Sequence, residues 1–419
     1  MTIQFNLEVN SNFTDQMYNS CIVKKIKKTI FTLNAGNYAP DITEMTYPLI
    51  KRFADKINAN FFIIDKRKFP SFPPSYEKFQ IYELTKKMKN DWNIYIDSEV
   101  LVHPDMFDPT NHLHKDTIMH HEIEMASIRW AYDEYFLRDG RNIGSCSWFT
   151  VSSDWCTDLW TPLDIPLEKA TKNIHPIQDE LNTSVTPDEL IDNYTLSRNI
   201  ARFGLKIKTF KDLLIELGNP GNFLWHPSTK ITYEKIVATR ITLANWGVSD
   251  YKGNKIPGWM SYNELVWLYL VARKMNSIVE VGSWKGRSSH ALASGCRGKV
   301  YLVDDFSQDP QIHPNVEQEL RANMSQFKNV EIVKMKSVEA ASLFPDNSID
   351  MVFIDAAHDR QSVYNDIQAW YPKCRKLLCG HDYERKSVKL GIQDTNFVPR
   401  QEGENIWVID KTRPNVERY

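Results

Sequence analysis

The sequence predicts an α/β protein of two consecutive domains, and three observations carry that prediction. Residues 277–305, SIVEVGSWKGRSSHALASGCRGKVYLVDD, read as strand, glycine turn, helix, strand and terminal acid. A second strand–helix–strand unit opens the chain, between Thr29 and Asp65. The 419 residues exceed one ordinary core and suit two.

Composition narrows the class. A hydrophobic content of 42% and a charged content of 25% are ordinary for a soluble globular protein. A net charge of −2 gives no global field for nucleic acid or an anionic membrane. No apolar run approaches the ~18–20 residues needed to span a bilayer. The start MTIQFNLEVN lacks a basic stretch followed by an apolar core, so no secretory signal is visible. The six cysteines are scattered without a C-x-x-C pair, which argues against a disulfide framework or a zinc site. A reducing, cytoplasmic setting is the expectation.

The N-terminal elements follow from periodicity. Thr29 to Leu33 is an apolar, β-rich run ending in a turn-prone stretch from Asn34 to Tyr38. Thr43 to Ile57 places Met45, Leu49, Ile50, Phe53 and Ile57 on one helical face. Asn60 to Asp65 is a second strand ending in an acid. A proline-rich loop precedes a helix over Tyr76–Lys89, which contains Lys78. Trp92 to Val102 then delivers Asp97 and Glu99. Carboxylates at i and i+2 face opposite sides of a strand, so they share a cation only if the strand turns there.

In the variant form D-S-E, this pair resembles the D-x-D signature of GT-A-fold glycosyltransferases. A plain strand-end acid is the alternative. The resemblance implies that Asp97 and Glu99 hold a divalent metal, Mn or Mg, on the diphosphate of a nucleotide sugar, UDP- or GDP-linked. Thr32, Asn34, Asp65, Lys78 and Asp97 would contact that donor. Asp192, at the start of a helix, would be a catalytic acid. His226, after an apolar strand, would be a third metal ligand or else a surface histidine. Lys230 would meet a phosphate. The glycine- and proline-rich stretch 247–258 marks a boundary, giving domains 1–246 and 247–419.

The second domain opens with a capping box, Ser261 and Glu264, ahead of a helix to Lys274. The glycine-turn unit supplies two strands. Asn329–Met335 and Ser348–Asp355 are the third and fourth, and a helix from Ser362 to Tyr371 leads to CGHDY at 379–383. The segments VEVGSWKGRSS, VYLVDD and IDMVFIDAAHDRQSVYNDIQAWYPKCRKLLCGHDY are similar to class I S-adenosylmethionine-dependent O-methyltransferases of small molecules and sugars. They resemble in particular the group with F-I-D-x-x-H and G-H-D-Y strand ends.

That resemblance implies a Rossmann-like domain with S-adenosylmethionine as cofactor. Glu280, Gly282, Ser283 and Gly286 would line its methionine end. Asp304 would take the ribose hydroxyls, and Ser337 and Val338 would flank the adenine. Asp355 and Asp382 would hold a divalent metal on a sugar diol. His358 would be the general base, because an imidazole near its ordinary pKa removes protons at neutral pH; a structural histidine is the alternative. His381 would assist. Together the resemblances imply a GT-A-like (Rossmann-like) domain followed by a class I methyltransferase domain. Such an enzyme would transfer a sugar to a glycan acceptor and then O-methylate it. The alternatives are a methyltransferase with a glycan-binding N-terminal domain and a non-enzymatic glycan-recognition protein.

Overall fold

A computed structural model describes residues 26–36, 39–121, 142–178, 184–219, 221–227, 231–307 and 311–412. Lys230, Asn37 and Tyr38 lie outside them. The chain divides into two compact units, 1–227 and 228–419.

In the first unit, strand β1 (Lys28–Leu33) is followed by helix α1 (Pro40–Lys56) and β2 (Asn60–Ile64). Then come α2 (Ile81–Met88), β3 (Trp92–Ile96), β4 (Leu101–Val102), β5 (Thr117–His120) and β6 (Phe149–Ser153). The unit continues with α3 (Ile191–Phe203), β7 (Lys206–Thr209), α4 (Phe210–Glu216) and β8 (Leu224–Trp225). The main sheet runs β2-β1-β3-β6-β5-β7, and β8 pairs with β4 separately. β1 is parallel to both β2 and β3, as a βαβ opening requires. Alternate residues feed two cores. Phe31 and Tyr95 pack with Phe79, Trp160 and Tyr194, while Ile30 and Ile94 pack with Ile50 and Phe53. A sheet covered on both faces explains why these strands read as continuous apolar runs.

The second unit starts with α5 (Thr232–Asn245), ahead of the boundary expected at 246/247. Polar contacts explain its membership. Arg240 Nη2 donates to Glu402 at 3.2 Å, and the Tyr233 hydroxyl bonds Asp410. Next come α6 (Tyr262–Ala272), β9 (Ser277–Val281), α7 (Arg287–Gly295), β10 (Lys299–Asp304) and α8 (Val316–Met324). They are followed by β11 (Val330–Lys334), α9 (Ser337–Ala341), β12 (Ile349–Ile354), α10 (Arg360–Trp370) and β13 (Cys374–Gly380). α11 (Lys386–Gln393), β14 (Arg400–Glu402) and β15 (Ile406–Asp410) complete the described chain. The sheet order is β11-β10-β9-β12-β13-β15-β14, and only β15 runs against the other strands, antiparallel to both β13 and β14. Strand order reverses between β9 and β12, and an open α/β sheet takes ligands at the carboxyl ends beside such a point.

The capping box is present. Ser261 N–H donates to Glu264 Oε2 at 2.8 Å, and Glu264 N–H donates to Ser261 Oγ at 3.2 Å. α6 is apolar almost all round, and Leu265, Val266, Trp267 and Leu268 are all buried. Its burial makes it an interior element, not a surface one.

Candidate active site

At the carboxyl end of β9 the chain turns on Gly282, whose φ is +88°. A Cβ there would lie 2.1 Å from the carbonyl oxygen of Asp355. Only glycine lets the loop after β9 touch the end of β12 this closely. Trp284 follows in the left-handed region, at φ +44°, and its N–H donates to Asp304 Oδ2 at 2.8 Å. The other oxygen, Oδ1, accepts from Phe306 N–H at 2.8 Å. Asp304 therefore ties the glycine loop to the end of β10.

Glu280 is fully buried in β9 beneath this loop. Ser289 donates to its Oε2, while Oε1 has no hydrogen-bond partner. Burial pushes its carboxyl up to about 7 against the opposing pull of the nearby Ser288, Ser289 and Ser283 hydroxyls. It sits behind the cavity wall, whereas Gly282 and Ser283 are on it. Gly286, at φ +94°, packs against Leu320 and Met324 and is also off the wall. Ser337 and Val338, at the start of α9, are on it. Ser337 Oγ accepts from Trp370 Nε1 at 3.0 Å. Asp366, also on the wall, is pushed up to about 6 by burial; helix periodicity carries no signal for it, because it does not distinguish an acid on a cavity wall from one in solvent.

One cavity of about 1130 Å³ joins these groups to Asp355, His358 and Asp382. β12 and β13 bring the last three together. Ligand atoms of the three lie within 4.8 Å of one another, the only such set of three or more among the described residues. His358 Nε2 is 2.6 Å from Asp382 Oδ2 and 3.5 Å from Asp355 Oδ1. The first is an ion-pair contact and not an aligned hydrogen bond. The two carboxylates, Asp355 first, raise His358 to about 9 against burial. Burial alone would raise Asp382, but His358, His381 and Arg385 outweigh it and hold it at about 2. His381 Nε2 meets Glu264 Oε1 at 3.0 Å, and its Nδ1 faces Asp355 at 3.8 Å. Burial would lower His381, but Glu264, Asp355 and Asp382 outweigh it and raise it. So Glu264 both caps α6 and orients His381, a role the capping box alone did not suggest. The imidazole expected to be a free base at neutral pH is thus held as an imidazolium in this arrangement, because two carboxylates face it.

In the first unit the structure separates the expected set. The chain does turn after β3, and Asp97 serves that turn. Its Oδ1 accepts from Glu99 N–H at 3.2 Å, and its Oδ2 accepts from the Tyr95 hydroxyl at 3.1 Å. Glu99 is buried and its Oε2 lies 3.3 Å from His226 Nε2. Asp97, Glu99 and His226 do not bring three ligand atoms within 4.8 Å of one another. Lys78 does not reach toward a donor. It is 1% exposed, and its Nζ donates to Asp192 Oδ2 at 2.8 Å and to the Cys146 carbonyl at 3.0 Å. Burial would lower Lys78, but Asp192 outweighs it, and the ammonium is held well above its usual range. Asp192 sits inside α3 with its other oxygen on the Asn193 N–H, so it is an ion-pair partner here and not an exposed acid. Thr32, Asn34 and Asp65 cluster at the carboxyl ends of β1 and β2. Thr32 Oγ1 and Asn34 Oδ1 are buried without partners, and Asp65 is exposed.

No helix among the described residues is long and apolar enough to cross a membrane. Residues 279–383 match the family described as "Methyltransferase domain". The match supports a methyltransferase domain in the second unit and covers the glycine loop, Asp304, Asp355, His358 and Asp382. No curated protein matches the chain. Among solved structures, an O-methyltransferase from Bacillus cereus in complex with SAH is 15% identical, at a TM-score of 0.31. That alignment covers 44% of this chain and 93% of the other. A putative caffeoyl-CoA O-methyltransferase from Staphylococcus aureus is 18% identical, at a TM-score of 0.31, covering 38% and 87%. A putative O-methyltransferase from Klebsiella pneumoniae is 14% identical, at a TM-score of 0.31, covering 47% and 94%.

Proposed function

We propose that the second unit transfers a methyl group from S-adenosylmethionine to one hydroxyl of a sugar diol. The observation that carries this reading is a single cavity in which a glycine loop adjoins Asp355, His358 and Asp382. The family match over the same residues supports it. Gly282 and Ser283 take the methionine end, with Glu280 as a buried acid beneath them. Asp304 takes the ribose, and Ser337 and Val338 flank the adenine.

A divalent cation fits the donor set, since two carboxylates and an imidazole nitrogen without an aligned hydrogen bond converge there. Asp355 and Asp382 would hold it, where it would polarise a bound hydroxyl and ease loss of its proton. His358 stands beside both carboxylates and receives that proton once its own has left. His381, oriented by Glu264, fixes the outer side of the acid pair. The test is calorimetry with S-adenosylmethionine, then mass spectrometry of glycosides incubated with protein and cofactor. A tight cofactor and one added methyl are expected. No cofactor affinity in the full-length protein overturns the reading.

A second reading concerns the first unit: metal-dependent transfer of a sugar from a UDP- or GDP-sugar to a glycan, before methylation. The unpartnered Thr32 Oγ1 and Asn34 Oδ1, beside Asp65 at the carboxyl edge of a parallel strand pair, favour a ligand there. Glu99 with His226, and Asp97 beside them, are the metal candidates. The Lys78–Asp192 pair supports this unit from inside. A glycan-binding unit without transfer is the alternative, and retention of metal-dependent donor hydrolysis separates the two. A cytoplasmic setting remains part of this proposal.

A further inference from the structure

At the mouth of the second unit's cavity stands a pair of indoles. Trp259 is 77% exposed, a large apolar area to leave in water. Its ring lies 4.6 Å from that of Trp284, inclined by 36°. Both residues line the cavity. The pair is held in place from two sides. Arg287 donates to the carbonyls of Ile256 and Met260, each at 2.8 Å, and so clamps the segment that carries Trp259. The N–H of Trp284 is bonded to Asp304. An exposed indole on a clamped segment cannot fold inward to bury itself. It stands as a preformed surface on the wall of the cavity that Asp355 and Asp382 also line.

We infer that Trp259 and Trp284 form a stacking platform that seats the pyranose ring of a carbohydrate acceptor, while Asp355 and Asp382 face its diol. This rests on the methyl-transfer reading of the same cavity. A pyranose presents an apolar C–H face to an indole and a rim of hydroxyls around it. The wall matches that division, because Glu384, Arg385, Glu404 and Asn405 line the same cavity. Two of these are already fixed: Asn405 Oδ1 accepts from Glu384 N–H at 2.7 Å, and Glu404 Oε1 accepts from Asn263 Nδ2 at 3.1 Å. A catechol would also offer a diol and a flat face. It has no further hydroxyls, so it would cover this rim without pairing it, and covering polar groups unpaired costs affinity.

The test uses the full-length protein, with Trp259→Ala and Trp259→Phe. The probes are methyl glucoside, galactoside and mannoside, with catechol as the rival. Calorimetry reads S-adenosylmethionine affinity, saturation-transfer NMR reads contact with the probe's ring protons, and mass spectrometry reads transfer. Cofactor affinity is expected to stay within about twofold in both variants. Trp259→Ala should remove saturation transfer to the pyranosides and raise their KM roughly tenfold, the loss of about one stacking contact, with kcat little changed. Phe should restore most of it. Pyranosides that bind equally well to Trp259→Ala, or that fail to bind while catechol binds, overturn the platform. If wild-type protein lacks cofactor affinity, the methyl-transfer reading fails, and the NMR contrast still decides the platform.

Discussion

His358 Nε2 lies 2.6 Å from Asp382 Oδ2, and the two residues reach each other from the ends of adjacent strands, β12 and β13. The pair determines how the cavity titrates. His358 is raised from 6.5 to about 9, so the folded state binds a proton that the unfolded state releases earlier. The resulting stability is complete below about pH 6.5 and disappears as pH rises through about 9. In chelator-treated protein, thermal scans should show the second unit's midpoint falling across that window. His358→Gln should flatten the fall; an unchanged pH profile in the variant would refute the assignment.

The same side chain should matter for turnover more than for cofactor affinity. His358→Ala is expected to lower methyl-transfer kcat by ~10²–10⁴-fold, the usual contribution of a positioned base. S-adenosylmethionine affinity, read by calorimetry, should change little. A loss below about tenfold would make His358 a structural residue.

Glu280 gives the opposite kind of linkage from a fully buried position. Its carboxyl is raised from 4.5 to about 7, so stability is complete below about pH 4.5 and is lost as pH rises toward 7. Glu280→Gln keeps the shape without the charge. At pH 8 it should stabilise the ligand-free second unit by an amount on the order of 3 kcal/mol, and at pH 4.5 by almost nothing. Urea unfolding at the two pH values checks this, and equal effects at both would contradict it.

Gly282→Ala tests the meeting of β9 and β12. The substitution meets a backbone oxygen at 2.1 Å and a φ of +88°. Strain of the backbone alone is on the order of 1–3 kcal/mol, and the clash adds to it. A lower melting temperature with loss of cofactor affinity is expected. Wild-type affinity in a well-folded Gly282→Ala protein would show that the loop does not contact the cofactor.

In the first unit, Lys78→Met should destabilise by about 3–5 kcal/mol, because Asp192 is left as an unpaired buried charge. Lys78→Met with Asp192→Leu should recover most of that loss. Chemical unfolding of the two variants measures it. A single mutant no worse than the double would mean that Asp192 finds water.

Much of this was legible in the sequence. Ser277–Val281 and Ile349–Ile354 announced themselves because strands buried on both faces are mostly apolar, with Glu280 and Asp350 as the buried exceptions. Ser261 and Glu264 gave the start of α6 through local hydrogen bonding alone. The grouping of Asp355, His358 and Asp382 followed from strand ends, since residues just after parallel strands share one sheet edge. Less was legible where a side chain's partner lies far along the chain. Lys78 finds Asp192 across 114 residues, and no local pattern says that the two neutralise each other. Asp97 looked like a ligand by spacing, yet its carboxylate is used two residues on, by Glu99 N–H. The hairpin of β14 and β15 was missed because three-residue and five-residue strands carry little periodicity.

The strand order of the second sheet has a kinetic consequence. Ile278 of β9 pairs with Val300 of β10, 22 residues away (300 − 278), but also with Met351 of β12, 73 residues away (351 − 278). Closing the longer loop costs about 1 kcal/mol more in chain entropy. Until it closes, Gly282 has no Asp355 to lean on, and the cavity does not exist. During refolding, helical signal and the β9–β10 pairing should therefore precede the ability to capture S-adenosylmethionine, and a chain caught between those two moments would be largely structured yet unable to bind.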